Sequence, residues 1–110
     1  MDTNLLYDRV CAAREVSQED FLSYLNYTLC ELCAIYGEEF VMNGPLRRVE
    51  RVGDTAGVRE VFAAAVEDDI MYLATGDERH KTDFAAHAAY AYNTLWREKN
   101  LGRRVRREAW

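Results

Sequence analysis

Hydrophobic positions recur along most of the chain with helical spacing. Between Thr55 and Trp96 they form two strong runs, Val58, Phe62, Ala65, Val66, Leu73 and then Phe84, Ala88, Ala91, Leu95. Each run keeps the i, i+3, i+4, i+7 rhythm that puts apolar side chains on one face of a helix. The joint between them reads Ala74-Thr75-Gly76-Asp77-Glu78-Arg79. The pattern predicts a helical hairpin with Gly76 just past the first arm, where a left-handed residue usually ends a helix. Alanines at 63, 64, 65, 85, 86, 88, 89 and 91 would let the two axes approach closely.

Upstream, Leu5, Leu6, Val10 and Cys11 predict a short first helix ending near Arg14. Ser17 heads Ser-Gln-Glu-Asp, a serine with acids in the next turn, and reads as an N-cap. The second helix carries Phe21, Leu25, Leu29, Leu32 and Tyr36 on one stripe and closes at Gly37. Residues 38–54 break the rhythm. Glu38 to Met42 reads as extended, Asn43-Gly44-Pro45 as a turn, and Leu46, Val49 and Val52 are spaced by three rather than two. A loop or a loose hairpin is expected here, with Asp54 capping a third helix that runs to about Thr75. A fourth helix is expected from about Thr82 to Asn100, stopped by Leu101-Gly102. The predicted fold is therefore all-α: a compact bundle of four helices, with a long loop between the second and third. It forms one domain, residues 1–102, followed by a basic tail, residues 103–110.

Composition narrows the classes. Apolar residues make up 49% of the 110 and charged ones 30%, the balance of a folded globular chain. No apolar run is long enough to cross a bilayer, and Met1 to Asn4 lacks the basic start of a secretion signal, so synthesis in a cytoplasm is expected. Three cysteines, an odd number, suit reduced thiols. Net charge is −5, but residues 1–100 carry 10 basic and 18 acidic side chains, a balance of −8, while residues 101–110 stand at +3. The body should repel nucleic acid. The arginines at 103, 104, 106 and 107 could touch a phosphate or an acidic neighbouring subunit.

Candidate chemistry is sparse. Cys30 and Cys33 form a C-x-x-C in mid-helix without the further ligands that zinc requires, so core or interface filling is the expected role. His80, Asp83 and His87, with Asp68 or Asp69 nearby, could be imagined around a metal. No third ligand is fixed, and a hydrogen-bonded, half-buried His87 is the plainer expectation. Asp69 falls at the centre of an apolar stripe. A buried carboxylate there needs a donor or cation, with Tyr90, Tyr92, Asn93 and Arg97 as candidates. Trp96 and Trp110 are candidate subunit anchors. No phosphate loop, nucleophile elbow or triad is visible, which argues against an enzyme.

The run from Ala65-Val66-Glu67-Asp68-Asp69-Ile70-Met71-Tyr72-Leu73-Ala74-Thr75-Gly76-Asp77, through Asp83-Phe84, to Ala88-Ala89-Tyr90-Ala91-Tyr92-Asn93-Thr94-Leu95-Trp96-Arg97 resembles small head–tail connector proteins of tailed phages and prophages. Phe21-Leu22-Ser23-Tyr24-Leu25-Asn26 is similar to the second helix of that group. The resemblance covers about Ser17 to Arg97. It implies a non-catalytic, all-helical virion adaptor without cofactor. Identical subunits would form a ring between portal and tail or neck proteins, with DNA passing nearby and not bound specifically. It further implies a virion-neck location and partner contacts through the long loop and the chain ends. The interface candidates are therefore Phe40, Val41, Leu46, Arg47, Arg48, Arg103, Arg104, Arg106, Arg107 and Trp110. The short basic tail departs from the group's pattern. The alternatives are a small helical regulator from a mobile element that binds one protein, and a metal protein or enzyme built on Asp69, His80, Asp83 and His87.

Overall fold

A computed structural model describes the backbone of residues 1–108 and the side chains of residues 1–100. The chain is all-α, with no strand among the described residues. Among the described residues five helices replace the expected four: α1 (Thr3–Ala13), α2 (Gln18–Tyr36), α3 (Glu38–Val41), α4 (Ala63–Thr75) and α5 (Glu78–Glu108), with a 3-10 turn, Glu60–Phe62, leading into α4.

The caps explain most boundaries. Asp2 accepts hydrogen bonds from the backbone N–H groups of Asn4 and Leu5 and starts α1. Ser17 accepts from the N–H of Asp20 at 3.1 Å and starts α2, as its sequence context predicts. Gly76, at φ 73° and ψ 8°, ends α4 in the left-handed conformation, with its N–H on the Tyr72 carbonyl at 2.7 Å. The α5 start falls at Glu78 rather than Thr82 because Asp77 caps it, accepting from the Arg79 N–H at 3.0 Å.

Four expectations need correction. Glu38 to Val41 is a helical turn, not extended: Gly37, at φ 94°, reverses the chain, and Val41 folds under into the core. Asp54 is not an N-cap, and residues 55–59 are extended. Their backbone is engaged by other segments, with bridges from Asp2 to Thr55 and from Met42 to Val58, so α4 starts later. Gly102 does not stop the last helix. Glycine inside a helix costs only about 1 kcal/mol, which helix-favouring leucine and arginine neighbours can offset. The backbone of 103–108 continues α5. Of the eight alanines expected at the hairpin seam, only Ala65, Ala88 and Ala91 are fully buried.

α4 is the central element, packed against α1, α2 and α5. Its buried face is Ala65, Val66, Asp69 and Ile70, preceded by Phe62. α2 brings Phe21, Leu25, Leu29 and Leu32, each almost fully removed from water, and α1 adds Leu6 and Val10. Burying each of these larger side chains is worth about 1.5–3 kcal/mol. The aromatic edge is closed by Tyr36, whose ring lies 6.0 Å from Phe62 and 5.2 Å from Tyr92. No helix among the described residues is long and apolar enough to cross a membrane.

Candidate functional site

The segment between α3 and the 3-10 turn, residues 42–59, holds most of the non-helical backbone, and three clamps order it. At its base, Asn43 N–H donates to the Gly57 carbonyl at 2.7 Å, and Arg59 N–H to the Val41 carbonyl at 2.8 Å. The base is thus a short antiparallel pair, the remnant of the expected loose hairpin. In the middle, the Asn26 side chain on α2 grips Val49 from both sides. Its oxygen accepts from the Val49 N–H at 2.8 Å, and its amide donates to the Val49 carbonyl at 2.9 Å. At the far end, the Thr3 hydroxyl accepts from Gly53 N–H at 2.8 Å and donates to the Asp54 carbonyl. Beside it the Met1 carbonyl accepts from Ala56 N–H, and the Met1 ammonium donates to the Ala56 carbonyl. Val49, Ala56 and Val58 are buried beneath.

This fastening pushes a basic crest outward. Arg47, Arg48 and Arg51 are exposed, and none makes an ion pair among the described residues. Leu46 is half-buried, its N–H held by the Glu38 carboxylate. Phe40 is half-buried, edge-on to Tyr92 at 5.2 Å and under the Lys99 ammonium at 5.2 Å. Val41 is fully buried in the core, placed there by the turn that the extended reading missed. The side chains of Arg103, Arg104, Arg106 and Arg107, and all of Trp110, lie outside the described residues.

Asp69 is fully buried, as its place in the stripe predicts, but its partners are different. It accepts from the Thr28 hydroxyl at 2.9 Å and pairs with the Lys81 ammonium at 3.1 Å. Lys81 also pairs with Glu31 at 2.7 Å and sits 4.5 Å from the Phe84 ring centre. Partial burial pulls the lysine pKa down, but the hydrogen bonds to Glu31 and Asp69 outweigh it, and the ammonium ends above its ordinary value. The cluster ties α2, α4 and α5 together.

His87 pairs through Nδ1 with Asp68, but it is exposed rather than half-buried. Among the described residues no three His, Cys, Asp or Glu side chains converge as metal ligands. Cys30 is exposed, so it is no core filler. Cys33 is half-buried, and burial pushes its thiol up, away from the reactive thiolate form. Trp96 is about half exposed, and Tyr27, Ile35 and Tyr90 are more exposed still.

No protein-family model, curated protein or solved structure matches this chain.

Proposed function

We propose that the protein is a non-catalytic structural adaptor, a head–tail connector that assembles with copies of itself as a ring between portal and tail. The observation that supports this most is the fastened segment 42–59. Three separate clamps order a segment that forms no helix, and what it displays is three arginines that make no ion pair among the described residues, on an otherwise acidic body. Such ordering suits a surface that must meet an acidic partner without an entropic penalty. Heterologous ring contacts, in which one face meets a different face, have a natural use for it. The acidic remainder suits a wall past which DNA slides.

Sedimentation velocity at several concentrations, with electron microscopy of mixtures with portal protein, tests the reading. Rings or portal-bound assemblies are expected. Arg47→Glu with Arg48→Glu should weaken assembly by about tenfold or more at low salt. Unchanged assembly of that variant would overturn the role given to the loop, and failure to associate with portal would overturn the connector. A second reading, a small helical regulator gripping one protein, is favoured by the exposed Tyr27, Ile35, Tyr90 and Trp96. A stable one-to-one complex with a non-virion protein would support it.

A further inference from the structure

Where α4 begins, α5 continues past it. Leu95, Glu98 and Lys99 of α5 then overhang Phe40 of α3 and Arg59 of the extended segment, enclosing an open cleft of about 360 Å³ with Glu39 at its rim. Arg59 is held in place twice. Its backbone N–H donates to the Val41 carbonyl at 2.8 Å, and Nη2 donates to the Glu39 carbonyl at 3.2 Å. Neither partner is charged, and no carboxylate among the described residues lies within ion-pairing distance of the guanidinium. Its Nε–H is buried and meets no acceptor among the described residues. Such an unmet donor is costly, and a planar guanidinium is shaped to take a carboxylate. At the mouth stands a second cation, Lys99, 3.1 Å from Glu39 and lying over Phe40. Phe40 and Leu95 supply apolar lining.

We propose that this cleft binds an acidic side chain of a protein partner, an aspartate or glutamate with a hydrophobic neighbour. The carboxylate pairs with Arg59, displacing little because the guanidinium is already oriented, and the apolar neighbour rests on Phe40 and Leu95. Lys99 leaves Glu39 to share the incoming charge. The rim limits the ligand: with Glu39 and Glu98 balancing the two cations, the cleft has no excess positive charge for a doubly charged phosphate or for the run of charges along a nucleic-acid backbone, while a single carboxylate can meet Arg59 and Lys99. The cleft is open along one side, the form of a notch for a side chain rather than a chamber for a free metabolite. The site stands whether or not the chain forms a ring.

The test uses the full ¹⁵N-labelled chain and two capped tripeptides, Leu-Glu-Leu and its isosteric twin Leu-Gln-Leu. The Arg59 Nε–H resonance and the amides of Phe40, Leu95 and Lys99 are followed by NMR. The glutamate peptide should give saturable shifts at these positions, and the glutamine twin should bind about tenfold more weakly. Raising salt to about 0.5 M should reduce the difference. Arg59→Gln should abolish the preference for glutamate. Should that variant lose the native spectrum, Lys99→Gln, on an exposed side chain, decides instead by lowering glutamate affinity about threefold. Equal response to both peptides, no shift at Arg59, stronger binding of a phosphoserine peptide, or full glutamate preference in the folded variants would each overturn the proposal.

Discussion

The α4–α5 hairpin and the segment 42–59 are both ordered, with different weights of packing and hydrogen bonding. The hairpin is ordered by packing: Phe62, Ala65, Val66 and Ile70 against Phe84, Ala88 and Ala91, with one polar cluster inside. The segment buries Met42, Val49, Ala56 and Val58 as well, but its course is fixed by hydrogen bonds between its backbone, which no helix or sheet satisfies, and Asn26, Thr3 and the first residue of the chain. Packing is forgiving about which apolar residue stands where, whereas a clamp depends on single atoms. Mutations should therefore act globally in the hairpin and locally in the segment.

The largest effect is expected at Lys81. Lys81→Met leaves Asp69 buried beside Glu31 without a cation, and breaking buried pairs costs about 3–5 kcal/mol. Because Lys81 is 38% exposed, solvent screens part of this, and a loss of about 2–3 kcal/mol in urea unfolding is expected. Adding Asp69→Leu should recover most of it, and no recovery would mean that the cluster does more than balance its own charge.

Asn26→Ala comes next, with a loss of about 1.5–2 kcal/mol. Its signature is local: amide exchange should accelerate at Val49 while Ala88 and Ala91 stay protected. Uniform acceleration would erase the contrast between the two regions. Gly76→Ala should cost about 1 kcal/mol, the penalty of a side chain at positive φ, without changing assembly. The smallest effect concerns pH. A side-chain hydrogen bond from Arg79, and then its backbone N–H, hold Asp77 at about 2, below the ordinary 3.8. The charged form is favoured in the folded chain, so its contribution is present above pH about 4 and fades as pH falls toward 2. Asp77→Asn should flatten the stability–pH curve in that window alone.

The hairpin, its glycine and the burial of Asp69 were legible because helical periodicity writes them into the sequence. The partner of Asp69 across the joint is written in the spacing too. Asp69 stands seven residues before Gly76 and Lys81 five after, so closing the hairpin sets them side by side. Tyr90 to Arg97 are carried to the other end of α4. The clamps left no such trace. Nothing in the spacing pairs Asn26 with Val49 or Thr3 with Asp54, and both side chains sit on helices where an asparagine or threonine is ordinary. Arg59 was equally silent, because its isolation depends on what fails to approach it.

The unequal arms of the hairpin have a mechanical consequence. α4 spans 13 residues and α5 spans 31, about 20 Å against about 46 Å at helical rise. Each degree of pivot at the joint sweeps the distal tip of the longer arm through about 0.8 Å, by the same length. The lysine knot beside the joint, with the contacts of Tyr92 and Lys99 further along, therefore sets the aim of a lever, and a small shift in any of them is amplified at its far end.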